Sequence, residues 1–338
     1  MVTDAQPNVY RLIGSEASAY SVKVRNYLTS KGIAFTWLTR AEAGELFAEH
    51  ARLPRVPLLI TPAGTGIHYS TEIIASVEAD HVQPLLQPQD PTSRFMCALL
   101  EEFADEWASR WVEHYRWARE QDSVEYVAEL VELAEPRPAG AQIPTEPRIR
   151  EQLMAPSWFQ AAPPAQTKII EGSFKDSLDL LDPHLKQHPF LFGSRPALAD
   201  FALAAQLAAA LKGPTPRSFM ELLAPNILAW LERVDSAADV PEGATFAPWE
   251  QVAETLGALL RDQVGGLFLP WSVANLRAVA DTARSFTVHL RGESWQQGAQ
   301  RYAAESFRTL RGQYQALSED AALADALREH SCLDWLSI

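Results

Sequence analysis

The stretch SEASAYSVKVRNYL, residues 15–28, is typical of a turn that leads directly into an amphipathic helix. Apolar side chains continue at helical spacing as far as Gly32, a residue type that often ends helices, so the sequence predicts a helix over residues 20–31. The turn carries three small hydroxyl residues, Ser15, Ser18 and Ser21. Such side chains accept hydrogen bonds from free N–H groups at a helix start. Whether one of them also does chemistry depends on what surrounds it.

Strand-like and helix-like segments alternate on either side of this helix. Short apolar runs rich in β-branched and aromatic residues predict strands at 9–13, 33–38, 57–61 and 67–69. Helical patterns predict two further helices at 40–52 and 70–80. The order β-α-β-α-β-β-α implies a small α/β domain whose first two strands are parallel and whose last two form an antiparallel hairpin.

Beyond residue 82 the pattern changes from mixed to helical. Three prolines mark residues 83–92 as a linker. Helical patterns then recur at 97–120, 167–187, 198–211, 227–236, 249–264, 300–316 and 320–329. The intervening residues 136–166 are proline-rich, with a short helical piece at 149–154. The sequence therefore predicts an all-helical second domain.

One segment near the C-terminus breaks the helical rule. Residues 285–296 alternate apolar and polar side chains around Gly292, which predicts a β-hairpin. The predicted divisions are an α/β domain at 1–82, a linker at 83–92, an all-helical domain at 93–240 and a helical extension at 241–338. The extension could cover a cleft between the domains or remodel a dimer surface, and both possibilities remain open.

The composition excludes several classes of protein. Of 338 residues, 47% are hydrophobic and 21% are charged, which is typical of a folded globular chain. A net charge of −14 argues against nucleic-acid and anionic-membrane partners, since both require clustered Lys and Arg. The two cysteines, Cys97 and Cys332, lack the spacing of a metal site and fit a reducing compartment. We expect a cytoplasmic protein without a bound metal, because the N-terminus also lacks a signal-peptide pattern.

Three local features of the first domain point to a small-molecule site. Ser18 stands at a helix N-terminus, where its hydroxyl could donate a hydrogen bond to a thiolate. The bond before Pro57 enters a strand and is a candidate cis peptide, which would turn the backbone of Val56 toward a peptide-like ligand. Ser70, with the amides of the helix that begins there, suits a carboxylate.

These residues carry a resemblance to a known family. SAYSVKVRNYLTSKGI, residues 18–33, resembles the text SPYSxKVRxxLxxKGI of bacterial, theta, zeta and omega-like members of the glutathione S-transferase superfamily. RVPLL at 55–59 is similar to the family's cis-proline strand, and YSTEII at 69–74 to its glutathione-binding segment. GSRPALADFALAAQL at 193–207 resembles the start of a helix in its second domain. The resemblance implies a thioredoxin-like α/β domain packed on an all-α domain, here with an extra hairpin-containing extension.

The resemblance also implies a glutathione site. Ser18 takes the position of the catalytic serine or cysteine, and its hydroxyl would activate the thiolate. The strand residues Val56 and Pro57 would face the cysteinyl part of glutathione, and Ser70 with Thr71 would hold the γ-glutamyl carboxylate.

Two further positions concern the ends of the tripeptide. Arg55 or His50 would take the glycyl carboxylate. Tyr69 stands where the family generally has Glu, Asp or Gln, the group that receives the γ-glutamyl ammonium. A phenol accepts a hydrogen bond but brings no charge, so another thiol, or a substrate without a thiol, becomes an alternative.

The second substrate is expected to meet the first helix of the second domain, which in this superfamily faces the acceptor pocket. The candidates for a pocket that takes a small apolar electrophile are Tyr20, Trp107, Trp111, His114 and Tyr115. The competing interpretation is that the four residues of the second domain form the core of the helical bundle.

The resulting functional hypothesis is a glutathione S-transferase-like enzyme, expected to be a homodimer, that performs thiol conjugation, displacement or thiol-assisted isomerisation. Two alternatives stand beside it because of Tyr69. One is a catalytically silent binding module, and the other is a biosynthetic enzyme that works without glutathione.

Overall fold

The computed structural model describes residues 9–132, 164–236 and 240–337. The predicted helical piece at 149–154 lies outside these residues. The first domain contains strands β1 (Tyr10–Gly14), β2 (Phe35–Thr39), β3 (Leu58–Ile60) and β4 (Gly66–His68), and helices α1 (Ala19–Ser30), α2 (Arg40–His50) and α3 (Ser70–Asp80). The sheet order is β2-β1-β3-β4, with β1 and β2 parallel and the other pairs antiparallel. The predicted order of elements and the predicted thioredoxin-like topology are confirmed.

Alternation along β1 explains how one short strand serves two layers of helices. Leu12 is buried in a cluster with residues of α1 and α3, whereas its neighbour Ile13 is buried with Phe47 of α2. Successive side chains of a strand point to opposite faces, so both faces of this sheet need apolar residues.

The helical domain follows a cis Gln83–Pro84 bond and is built from long helices around one buried helix. Its elements are α4 (Pro91–Phe103), a π-helical turn (Ala104–Ala108), α5 (Ser109–Ala118), α6 (Glu120–Glu132), α7 (Pro164–Gln187), α8 (Leu198–Leu211), α9 (Pro214–Leu223) and α10 (Pro225–Asp235). Helix α8 contacts α1, α4 and α5, which explains its nearly uniform apolar sequence. Asp200 holds its first turn by accepting hydrogen bonds from the N–H groups of Ala197 and Leu191, at 2.8 and 2.9 Å.

The extension folds back onto the helical domain. It contains α11 (Trp249–Leu259), a second π-helical stretch (Leu260–Phe268), α12 (Leu269–Ala280), β5 (Ser285–Leu290), β6 (Glu293–Gly298), α13 (Arg301–Ala316), α14 (Ala321–Glu329) and α15 (Leu333–Leu336). The predicted hairpin is confirmed, with Val288 opposite Trp295. Helix α13 packs on α4, and β6 packs on α7.

Several helices differ from the sequence-based prediction. The single helix predicted over 97–120 is interrupted by the π-helical turn, and the predicted 249–264 helix continues through π-helical geometry into α12. Helix α9 was not predicted, because its two prolines look like helix breakers although both lie in the first turn, where proline is tolerated. No helix in the described residues has the length and apolarity needed to cross a membrane.

Candidate functional site

A cavity of about 240 Å³ lies where the first domain, the helical domain and the extension meet. The first domain contributes Tyr20, Leu53, Arg55, Val56, Pro57, His68, Tyr69, Ser70 and Thr71. The helical domain contributes Asp105, Glu106, Ser109, Arg110 and Glu113, and the extension contributes Gln300, Tyr302 and Ser306. All three parts of the chain therefore form its wall.

The entry to β3 forms one side of the cavity. The Val56–Pro57 bond is cis, in agreement with the prediction. His68, which ends β4, accepts a hydrogen bond at Nε2 from the Arg52 N–H, at 3.1 Å, and bonds to the Pro57 carbonyl. Burial lowers the pKa of His68, so its ring stays neutral and holds this loop in place.

The start of α3 forms the adjacent side. Ser70 is buried at the first position of the helix, and Thr71 follows it on the exposed side. The backbone of Tyr69 has φ 64°, in the left-handed region, and turns the chain from β4 into the helix. The first-turn N–H groups have no partner within a helix, which makes such a terminus favourable for an anion.

The extension closes the cavity above Tyr69. Tyr302, in the first turn of α13, stacks on the Tyr69 ring with centroids 4.7 Å apart and planes 19° apart. Neighbouring Gln300 accepts a hydrogen bond at its amide oxygen from Arg110, at 3.2 Å, and its backbone N–H donates to Asn275, at 2.8 Å. The start of α13 is therefore fixed at the site, and the extension covers the cleft between the two domains.

The π-helical turn shapes the opposite wall. Tyr20 reaches across from α1 and donates its hydroxyl hydrogen to the Asp105 carbonyl oxygen, at 2.8 Å. Within this turn and in the helix that follows it, four polar residues recur at helical spacing and face the cavity: Glu106, Ser109, Arg110 and Glu113. Wide π turns inside α-helices are frequent at functional sites.

Arg110 is the most constrained of these residues. Its Nη1 donates to the Gln297 side-chain oxygen at 3.0 Å, and its guanidinium carbon lies 4.1 Å from the centroid of the Trp271 ring. Both partners belong to the extension. The extension therefore fixes the direction in which this positive charge faces the cavity.

Buried charge surrounds the wall. Lys23 of α1 donates to Asp105 at 2.6 Å and to Glu101 at 2.7 Å. Although burial opposes its charge, these two carboxylates raise the pKa of Lys23. Burial raises the pKa of Asp105 to about 6 even beside that ammonium group. Burial, with added repulsion from Asp105 and Glu113, raises the pKa of Glu106 to about 7 against the attraction of Arg110.

Seven of the residues singled out from the sequence meet in the cavity: Tyr20, Arg55, Val56, Pro57, Tyr69, Ser70 and Thr71. Ser18 and His50 are not among the residues that line it. Ser18 caps α1, and its Oγ accepts a hydrogen bond from the Ser21 N–H at 3.3 Å.

The aromatic candidates of the second domain lie in the core instead. Trp107 and Trp111 each donate an indole N–H to the Ser173 hydroxyl, at 2.9 and 3.1 Å, and that hydroxyl donates to Gln263 at 2.8 Å. The other two, His114 and Tyr115, are also buried and pack toward α7. The competing interpretation, bundle core, describes these four residues.

Sequence reasoning missed the polar wall and Tyr302. The signal for the wall was present, because Glu106, Arg110 and Glu113 recur at i, i+4 and i+7 on a face that excludes both tryptophans. It resembles a solvated helix face unless another domain is known to cover it. For Tyr302 there was no local signal, since its contact with Tyr69 joins distant parts of the chain.

A thioredoxin-like domain joined to a helical domain, with a cavity between them, defines the class of protein. Residues 12–85 match the family model of the glutathione S-transferase N-terminal domain, and residues 147–233 match that of the C-terminal domain. These two segments identify both domains of the glutathione S-transferase superfamily in this chain. No curated protein sequence matches it significantly.

Solved structures similar to the chain include three with low identity. A glutathione S-transferase from Methylobacterium radiotolerans, in complex with glutathione sulfonate, is 22% identical, with 71% of this chain and 99% of that chain covered and a TM-score of 0.45. A Tau class glutathione S-transferase from mango, Mangifera indica, is 19% identical, with 73% and 96% covered and a TM-score of 0.45. FzlA from C. crescentus is 18% identical, with 71% and 96% covered and a TM-score of 0.44.

Proposed function

We propose that the protein is a glutathione S-transferase-type enzyme that binds glutathione along the first-domain wall and joins the whole tripeptide, through its sulfur, to an electrophile held at the helical wall. One observation carries the proposal. The loop with the cis Val56–Pro57 bond and the start of α3 at Ser70 line the same cavity, and the helical domain forms the opposite wall.

The first-domain wall offers the groups that a peptide with a free carboxylate needs. The backbone of Val56 can pair with an extended ligand, and the hydroxyl of Ser70 with the α3 amides can hold a carboxylate. Arg55 supplies a positive charge at the same wall for a second carboxylate.

Ser18, which is not itself a lining residue but lies two positions before the cavity-lining Tyr20, is proposed to stabilise the thiolate. Its Oγ accepts from the Ser21 N–H through a lone pair, so the hydroxyl hydrogen can still donate. A free thiol has a pKa of about 8.5, and hydrogen bonding to the thiolate at a helix N-terminus lowers it toward neutrality. The thiol gives its proton to solvent, the thiolate forms a C–S bond, and the electron pair leaves with a leaving group or enters a conjugated system.

A second candidate is favoured by the Tyr69–Tyr302 stack. This pair stands where a relative would present a carboxylate or amide to the γ-glutamyl ammonium, and it offers no negative charge. In that case the site serves a thiol-independent enzyme or a binding module.

A calorimetric titration with glutathione tests the proposal. The wild type is expected to bind, and Ser70→Ala is expected to weaken binding about tenfold to a hundredfold, because a hydrogen bond to a charged group contributes about 1.5–3 kcal/mol. Ser76→Ala serves as the control, since Ser76 lies on the same helix outside the cavity lining.

Two further variants separate the candidates. Tyr69→Glu restores an acidic acceptor, and Tyr302→Ala removes the ring above it. No heat from the wild type, with binding by Tyr69→Glu, would mean that the pocket persists but has abandoned glutathione. No detectable binding of glutathione by the wild type or by any variant would leave only the second candidate, a thiol-independent enzyme or a binding module.

A further inference from the structure

The helical wall of the cavity is lined by charged side chains. An acceptor site for apolar electrophiles would instead be lined by apolar side chains. The residues that face the cavity from this wall are Glu106, Ser109, Arg110 and Glu113. The tryptophans of the same helical stretch are buried in the core. A ligand at this wall therefore meets the carboxyl groups of Glu106 and Glu113, that of Asp105 beside them, and one guanidinium.

The carboxylates at this wall outnumber the cations available to them. Arg110 donates hydrogen bonds to the amide oxygens of Gln297 and Gln300, and within the described residues no hydrogen bond or ion pair joins it to Glu106 or Glu113, although its charge attracts both. Lys23 is already engaged below the wall. Three cations, Lys23, Arg110 and Arg116, therefore face the four carboxyl groups of Glu101, Asp105, Glu106 and Glu113.

A buried acceptor independently points to a missing donor. Asp105 lines the cavity with only 6% of its surface exposed, and its Oδ1 has no hydrogen-bond partner within the described residues. Buried acceptors are normally satisfied, so a ligand that donates hydrogen bonds fits this place.

We infer that the helical wall binds the protonated primary amine of a small aliphatic ligand, held between the carboxylates of Glu106 and Glu113. The Tyr20 and Tyr302 rings line the same space and can contact the aliphatic chain. Arg110, which is fixed against Trp271, lies between Glu106 and Glu113 in the sequence and faces the same cavity. Its charge disfavours a ligand that carries a second cationic group. The amine site stands by itself, but its use for a second substrate rests on the proposed function.

The electrostatics give the binding a second signature. Burial and like charges raise the pKa of Glu106 to about 7, so part of its population carries a proton near neutral pH. The charged and titratable groups that face it are Tyr20, Lys23, Glu102, Asp105, Arg110, Glu113 and Tyr302. A bound ammonium favours the ionised form, so binding at pH 7 releases protons.

Titration with n-hexylamine and with 1-hexanol tests the inference on the full chain. At pH 8 we expect the amine to bind about tenfold or more tightly than the alcohol, with proton release at pH 7 measured by calorimetry in buffers of different ionisation enthalpy. Glu106→Gln and Glu113→Gln should each lower amine affinity about tenfold and leave alcohol affinity unchanged. Glu250→Gln, which removes an exposed carboxylate outside the cavity, should change neither.

Equal affinity for the two probes, or an amine preference that survives both cavity substitutions, would overturn the inference. Comparison of S-(6-aminohexyl)glutathione with S-hexylglutathione separates it from the proposed function. If hexylamine binds but neither glutathione conjugate does, the glutathione site is refuted and the amine site is not. If both conjugates bind equally well and hexylamine binds no better than hexanol, the amine site is refuted and the glutathione site is not.

Discussion

At the scale of the residue, Ser18 has one hydroxyl and two tasks. Its oxygen caps α1 by accepting from the Ser21 N–H. In the proposed reaction its hydrogen stabilises a thiolate. The two tasks use different parts of the hydroxyl, so a substitution can remove one and keep the other.

Ser18→Ala and Ser18→Asp separate these tasks. We expect Ser18→Ala to lower the free energy of unfolding by about 1 kcal/mol, because alanine cannot cap a helix, whereas Ser18→Asp keeps the cap and stays close to the wild type. Both variants should raise the pKa of the thiol of bound glutathione. The aspartate should raise it further, because its charge repels the thiolate.

Denaturant unfolding and the ultraviolet absorbance of the thiolate against pH measure the two quantities. A wild-type thiol pKa in the Ser18→Asp protein would show that Ser18 is only a cap. Equal destabilisation by both substitutions would show that capping is not what this side chain contributes.

At the scale of the element, α1 is tied to the helical domain by a buried ammonium group. Lys23 is 1% exposed and bridges Glu101 of α4 and Asp105 of the π-helical turn. A buried charge is costly when its partners are removed, so this joint stabilises the domain contact only while it is complete.

Lys23→Met should therefore lower the free energy of unfolding by about 3–5 kcal/mol, because two carboxylates lose their cation in a buried place. Lys168→Met is the matched control, since Lys168 pairs with Glu293 at the surface and its loss should leave stability unchanged. Urea unfolding of the two variants provides the comparison. Similar stabilities for the two proteins would contradict the role given to the buried pair.

Elements whose signal is local could be predicted from the sequence. The start of α3 at Ser70 and the cis bond at Pro57 could be predicted, because each depends on only a few neighbouring residues. The π-helical turn at Ala104–Ala108 could not be predicted, because Phe103, Trp107 and Trp111 stand four residues apart across it, a spacing that an ordinary α-helix also shows. The assembled cavity escaped prediction for a related reason, since Tyr302 and Gln300 reach it only through tertiary packing of the extension.

At the scale of the whole molecule, the extension belongs to the same core as the first domain. One continuous cluster of buried side chains runs from Leu12 in β1 through Trp107 in the helical domain to Leu336 near the end of the described chain. Trp107 meets Trp271 with ring centroids 6.2 Å apart and Trp295 with centroids 5.4 Å apart. The three segments therefore share apolar surface that each would expose without the others.

Shared burial predicts that the chain unfolds as one cooperative unit in spite of its length. We expect a single calorimetric transition whose van't Hoff and calorimetric enthalpies agree, with tryptophan fluorescence and far-ultraviolet circular dichroism changing together. Trp271→Ala, which removes a side chain joining the extension to Arg110, should lower the transition temperature without splitting the transition. Two separated transitions in the wild type would show instead that the extension folds independently and can leave the cavity open.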